Sequence, residues 1–67
     1  MYGKRIRELR TEKGLTQAEL AKILNTTQKS ISKYETQTLD LNTATIISLC
    51  KFFNVSADYL LGLSDEY

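Results

Sequence analysis

The chain contains no histidine, proline or tryptophan, and only one cysteine and three glycines among its 67 residues. A lone thiol without imidazoles is not a zinc ligand set, cannot close an intrachain disulfide, and has no histidine to activate it. No glycine-rich loop is present to cradle a phosphate. The expectation is therefore a protein that is not an enzyme and that uses no metal and no cofactor. No apolar run is long enough to span a bilayer, and "YGKRIREL" after Met1 lacks the apolar centre of a secretory signal. This points to a cytoplasmic protein with no membrane partner, in which Cys50 stays a reduced thiol packed among apolar neighbours.

What is present is the balance of an ordinary globule, with 42% apolar and 25% charged residues. Sixty-seven residues make a single domain, here 1–67 with an ordered core over about 4–63. Such a chain buries only about 60% of the surface its unfolded form exposes, so packing must be efficient. The net charge is +1, but its distribution is uneven. Residues 1–33 hold eight Lys or Arg against three Glu, whereas residues 34–67 hold one Lys against five acids. A basic half and an acidic half suit a surface that faces an anion, with a different surface behind it.

Without proline, punctuation falls to caps, and these delimit five helices. Helix 1 is predicted over about Lys4 to Lys13, with Ile6 and Leu9 inward and Gly14 ending it in a left-handed conformation. In "LTQAEL", Thr16 is an N-cap, Glu19 completes a capping box, and Leu15 and Leu20 occupy hydrophobic-staple positions. Helix 2 follows over about Gln17 to Leu24, burying Leu20, Ile23 and Leu24. Asn25 tolerates positive φ, and Thr27 caps helix 3 over about Gln28 to Glu35. Helices 2 and 3, so tightly joined, must cross steeply. Asn42 caps helix 4, about Thr43 to Phe53, with Leu41 and Ile46 as its staple. After Asn54, Ser56 starts a short helix 5 that Gly62 stops. No segment keeps a two-residue alternation, so strands are not expected. Ile6, Leu9, Leu20, Ile23, Leu24, Ile31, Ile46, Leu49, Phe53, Val55 and Leu60 form the predicted core.

The segment "NTTQKSISKYE" is unusual for a helix in so small a domain, because only Ile31 and Tyr34 are plainly apolar. At about 100° per residue these two point one way, with Glu35 on their flank. Lys29, Ser32, Lys33 and Thr36 point roughly opposite, and Gln28 stands at the exposed first turn. This outer face holds no acid and is rich in hydrogen-bond donors. A DNA major groove admits one helix, and its base edges suit Gln on adenine and Lys on guanine. A thinly anchored helix braced by its predecessor can project such a face into the groove.

The stretch "LTQAELAKILNTTQKSISKYE" resembles the helix-turn-helix of the Cro and phage-repressor family of bacterial DNA-binding domains, and "VSADYLLGL" resembles that family's closing helix. The likeness covers about Lys4 to Leu63. Ala21 stands where helices 2 and 3 approach closely, Gln17 and Gln28 stand at the two helix starts, and Tyr34-Glu35 resembles the family's usual ending of helix 3. Asn25 replaces the common Gly of the turn, Thr26 a Val-like residue, Leu41 a frequent Pro, and Cys50 a frequent Ala. The resemblance implies an all-α, compact five-helix, lambda-repressor-like domain with helix-turn-helix 17–35.

It also implies a sequence-specific transcriptional regulator, a repressor, binding double-stranded DNA as a homodimer on a pseudo-palindromic operator. The base-reading candidates are Gln28, Lys29, Ser32 and Lys33. Phosphate contacts fall to helix starts and the loop after helix 3: Thr16, Gln17, Thr27, Thr36, Gln37, Thr38, Asn42 and Thr43. Asn42 is equally readable as a cap alone. Arg10 and Glu35 are expected to pair, as in several family members. Tyr59, Leu61 and Leu63 are either a dimer contact or a satellite of the core. The alternative function is that of an antitoxin or other interaction module using the same fold on a small protein partner.

Overall fold

A computed structural model describes residues 1–67. It contains five helices: α1 (Tyr2–Glu12), α2 (Gln17–Ile23), α3 (Gln28–Glu35), α4 (Thr43–Phe53) and α5 (Ala57–Leu60). No strand is present, and no helix is long and apolar enough to cross a membrane.

The caps act as the residues require. The Thr16 hydroxyl accepts the Glu19 N–H at 3.1 Å, while the Glu19 carboxylate accepts the Thr16 N–H at 2.9 Å, a complete capping box. Thr27, Asn42 and Ser56 each accept an N–H three residues on, at 3.1, 2.8 and 3.0 Å. A left-handed residue follows every helix: Gly14 (φ 69), Asn25 (φ 57), Gln37 (φ 59), Asn54 (φ 56) and Gly62 (φ 81). After α1, α2, α3 and α5 the chain closes in a Schellman pair of hydrogen bonds; after α3 the Gln37 N–H reaches Tyr34 O and the Thr38 N–H reaches Lys33 O. Gly and Asn at four of these ends were expected. Gln37 was not.

Each helix sends one fully buried side chain to the centre: Ile6, Leu20, Ile31, Leu49 and Leu60. Leu9, Ala21, Tyr34, Phe53 and Val55 complete the core. Ala21 is 3% exposed on α2, which packs on α3, and α1 packs on α3 as well. The buried stripe of α2 runs through Leu20, Ala21 and half-buried Leu24. Ile23 consequently lies on the flank, 47% exposed, which corrects its assignment to the core. Ile46 is half-buried rather than central. Helix α1 starts at Tyr2 rather than Lys4, because its first turn is held against the end of α3. The C-terminal residues fold back as well: Tyr67 stacks on Tyr59 at 4.6 Å, Tyr59 carries the Arg5 guanidinium at 3.9 Å, and Arg5 lies 3.9 Å from Asp65.

Candidate nucleic-acid interface

Helix α3 has eight residues and touches the core through Ile31 and Tyr34. Lys29, Lys33 and Thr36 are exposed, as the helical wheel requires, and Gln28 is exposed in the first turn. Ser32 departs from expectation: it is half-buried, on the edge of the outer face that turns toward Glu35.

Two helix starts border this face. On the Glu35 edge lies the start of α2, tied there by a hydrogen bond from Gln17 Nε2 to Glu35 Oε1 at 3.2 Å. On the Tyr34 edge lies the start of α4, across a cleft of about 180 Å³ lined by Leu24, Thr26, Tyr34, Asn42, Ala44, Thr45 and Ser48. Tyr34 and Glu35 fall on opposite sides of the Ile31 stripe at 100° per residue. The outer face is therefore flanked by two helix N-termini, each with free N–H groups and the positive end of a helix dipole. No acid lies in the first turn of α3 or α4; Glu19 in α2 is engaged in its capping box. That engagement holds the Glu19 carboxyl below its usual 4.5, first through the Thr16 backbone N–H and then through the Thr16 side chain.

Glu35 is bound from three directions. Arg10 Nε donates to Oε2 at 2.6 Å, Arg10 Nη2 donates to Oε1 at 3.1 Å, and Gln17 supplies the third bond. Arg10 Nη1 also donates to the Leu15 carbonyl at 2.7 Å. The hydrogen bond to Glu35 raises the Arg10 pKa above its ordinary value, so Arg10 is a fixed cation locked inside the domain. The expected Arg10–Glu35 pair is present.

The phosphate candidates divide into two groups. Thr16, Thr27 and Asn42 are exposed caps whose oxygens are already acceptors for backbone N–H groups. Thr43 is exposed at the first position of α4, and Thr36 and Thr38 share a hydrogen bond of 3.0 Å just past α3. Gln17 and Gln37, by contrast, are half-buried and turned inward, Gln17 onto Glu35 and Gln37 onto the Gly3 N–H. Gln17 thus spends a side-chain N–H on Glu35, and Gln37 its amide oxygen on Gly3. Only the contact partners, distant in sequence, disclose this. The cleft floored by Tyr34 was equally hidden, since Tyr34 reads simply as core.

A short helix crossing its predecessor, its polar face outward between two helix starts, defines a helix-turn-helix domain. A family model described as a helix-turn-helix domain matches residues 3–66, and the chain belongs to that family, of the Cro and phage-repressor type. The HTH-type transcriptional regulator ImmR of Bacillus subtilis is 45% identical over 60 residues, which are 90% of this chain and 47% of ImmR. The antitoxin PezA of Streptococcus pneumoniae is 40% identical over 62 residues, 92% of this chain and 39% of PezA. The chain thus spans less than half the length of these two relatives. Among solved structures, the phage P22 c2 repressor in complex with a synthetic operator superimposes with a TM-score of 0.88 at 31% identity, covering 96% of this chain and 97% of the repressor chain. The solution structure of the P22 c2 repressor's DNA-binding domain gives 0.83 at 32% identity, covering 100% and 91%.

Proposed function

We propose that this chain is the DNA-reading part of a transcriptional repressor, with α3 in the major groove of a pseudo-palindromic operator and two copies related by a two-fold axis. The observation that carries this is the acid-free outer face of α3 set between two helix N-termini. A helix in a major groove has a phosphate backbone on either side. Here the start of α2 would meet one strand and the start of α4 the other. Gln28, Lys29 and Lys33 read base edges, with Ser32 a lesser contributor from its recessed position. Thr16, Thr27, Thr36, Thr38, Asn42 and Thr43 meet phosphates, together with the main-chain N–H groups of Gln17 and Thr43. The likeness to an operator-bound repressor supports the same reading.

In a symmetric dimer the two α3 helices would lie about 34 Å apart, one turn of B-DNA. Half-buried Tyr59 and Leu61 and exposed Leu63 are the proposed dimer contact. A second reading has one supporting observation, the relative named as an antitoxin. In that case the same fold would also hold a small protein partner, and exposed Ile23 and Ile47 offer apolar side chains for it. The two roles are compatible.

Fluorescence anisotropy on labelled duplexes at several salt concentrations tests the proposal. Affinity should fall linearly on logarithmic axes with a slope of about −0.9 per neutralised phosphate. A flat salt response, or no binding at low salt, would contradict it.

A further inference from the structure

The first turn of α1 lacks the ordinary means of satisfying its free N–H groups. Met1 offers no side-chain cap, and the turn carries no acid. Instead, the Gly3 N–H donates to Oε1 of Gln37, 3.1 Å away and 34 positions along the chain. Gln37 holds φ 59 at the left-handed position after α3, a place that Gly or Asn ordinarily fills. Gly3 is constrained in turn. A Cβ on it would collide with the Glu35 carbonyl oxygen and lie 2.9 Å from Gln37 Cγ. The first of these is backbone and cannot swing aside. One residue earlier, Tyr2 Oη lies 3.4 Å from the Leu39 carbonyl oxygen and 3.4 Å from Asp40 Oδ1.

We infer that the first turn of α1 is a clasp that sets the connection after the recognition helix, and that Gln37 is a positioning residue rather than a DNA ligand. This rests on the proposed DNA reading and names what orients its C-terminal end. The route is short. Lys33 O accepts the Thr38 N–H at 2.9 Å and the Leu39 N–H at 3.4 Å, so displacement of residues 37–39 moves the last turn of α3. Lys33 projects from that turn. Gln28 projects from the other end, held by the Thr27 cap and outside the clasp. The amide oxygen of this left-handed glutamine caps a helix that has no side-chain cap of its own.

The clasp predicts damage confined to one end of each half-site. Gln37→Met keeps the side-chain stem and removes the acceptor; Gly3→Ala drives a Cβ into the Glu35 carbonyl; Gln37→Gly keeps the left-handed backbone without the amide. Each variant of the full chain, checked for folding by circular dichroism, is used with the parent to enrich random duplexes. The Gly3 amide should exchange faster in both Gln37 variants. All three should lose about fivefold or more of the base discrimination at the position facing Lys33, while the position facing Gln28 is unchanged. If folded Gln37→Met enriches the parent's motif with equal discrimination throughout, or weakens all positions alike, the clasp is wrong. Should Gly3→Ala not fold, Gln37→Met and Gln37→Gly decide. If the parent itself enriches no motif, the DNA reading fails and the clasp falls with it.

Discussion

Arg10 and Glu35 stand 25 positions apart in the chain and are joined by two parallel hydrogen bonds, of 2.6 and 3.1 Å. Their side chains are 11% and 4% exposed, so water screens the pair little. With Gln17 and the Leu15 carbonyl as further partners, the pair ties the start of α2 and the end of α3 to α1. It fixes the relative placement of the two elements that would flank and fill a DNA groove.

Arg10→Met is expected to destabilise the domain by about 3–5 kcal/mol, because it strands a shielded carboxylate. Urea unfolding at low temperature measures this. Adding Glu35→Leu should recover most of the loss, since an apolar pair of similar volume has no unpaired charge. A loss under about 1 kcal/mol for the single variant would mark the pair as a surface one.

Acid should loosen the start of α2. The Glu19 carboxyl is lowered in the folded state, so its cap stabilises when ionised. That stabilisation is fully present above the unfolded value, near 4.5, and is lost as pH falls through the folded value. Carbon-detected NMR titration of Glu19 should give a midpoint below 4.5, and Glu19→Gln should flatten the acid limb of the stability profile. A midpoint at or above the usual value would contradict the capping box.

The turn between α2 and α3 needs a left-handed residue at Asn25, φ 57. Asn25→Ala should cost roughly 1–2 kcal/mol, whereas Asn25→Gly should be neutral or slightly stabilising. Thermal unfolding separates the two. Equal loss for both would show that the Asn side chain, not the backbone, matters.

Lys33→Ala should alter preference at one base pair per half-site by about 1–3 kcal/mol and leave the unfolding midpoint unchanged, because Lys33 is exposed. Binding assays on a panel of single-base operator variants read this out. A uniform loss across the panel would make Lys33 a phosphate ligand instead.

Local chemistry made much of the fold legible. Gly14, Asn25, Asn54 and Gly62 announce left-handed ends, and Thr16, Thr27, Asn42 and Ser56 announce starts, because each residue acts on its own neighbours. What escaped depends on partners far along the chain. Gln37 has no turn preference of its own; its conformation answers the uncapped N–H of Gly3. Gln17 stands at a helix start, where an exposed donor is the natural expectation, but Glu35 draws it inward. Ile23 is as apolar as Leu20, yet the buried stripe of α2 runs through Leu20, Ala21 and Leu24 and leaves Ile23 47% exposed on the flank. The Ile31–Tyr34 stripe alone sets Lys29 and Lys33 outward, and the first turn exposes Gln28, whereas Ser32, about 100° from Ile31 on the Glu35 side, is half-buried.

Enrichment of random duplexes with the purified protein at moderate salt, followed by sequencing, asks whether the outer face of α3 reads bases. The expected product is a motif of two inverted half-sites with centres about 10 base pairs apart, whose preferences change at one end of each half-site when Lys33 is replaced by Ala and at the other end when Gln28 is. Recovery of duplexes without a shared motif, or of one motif indifferent to both replacements, would show that this face does not read DNA sequence.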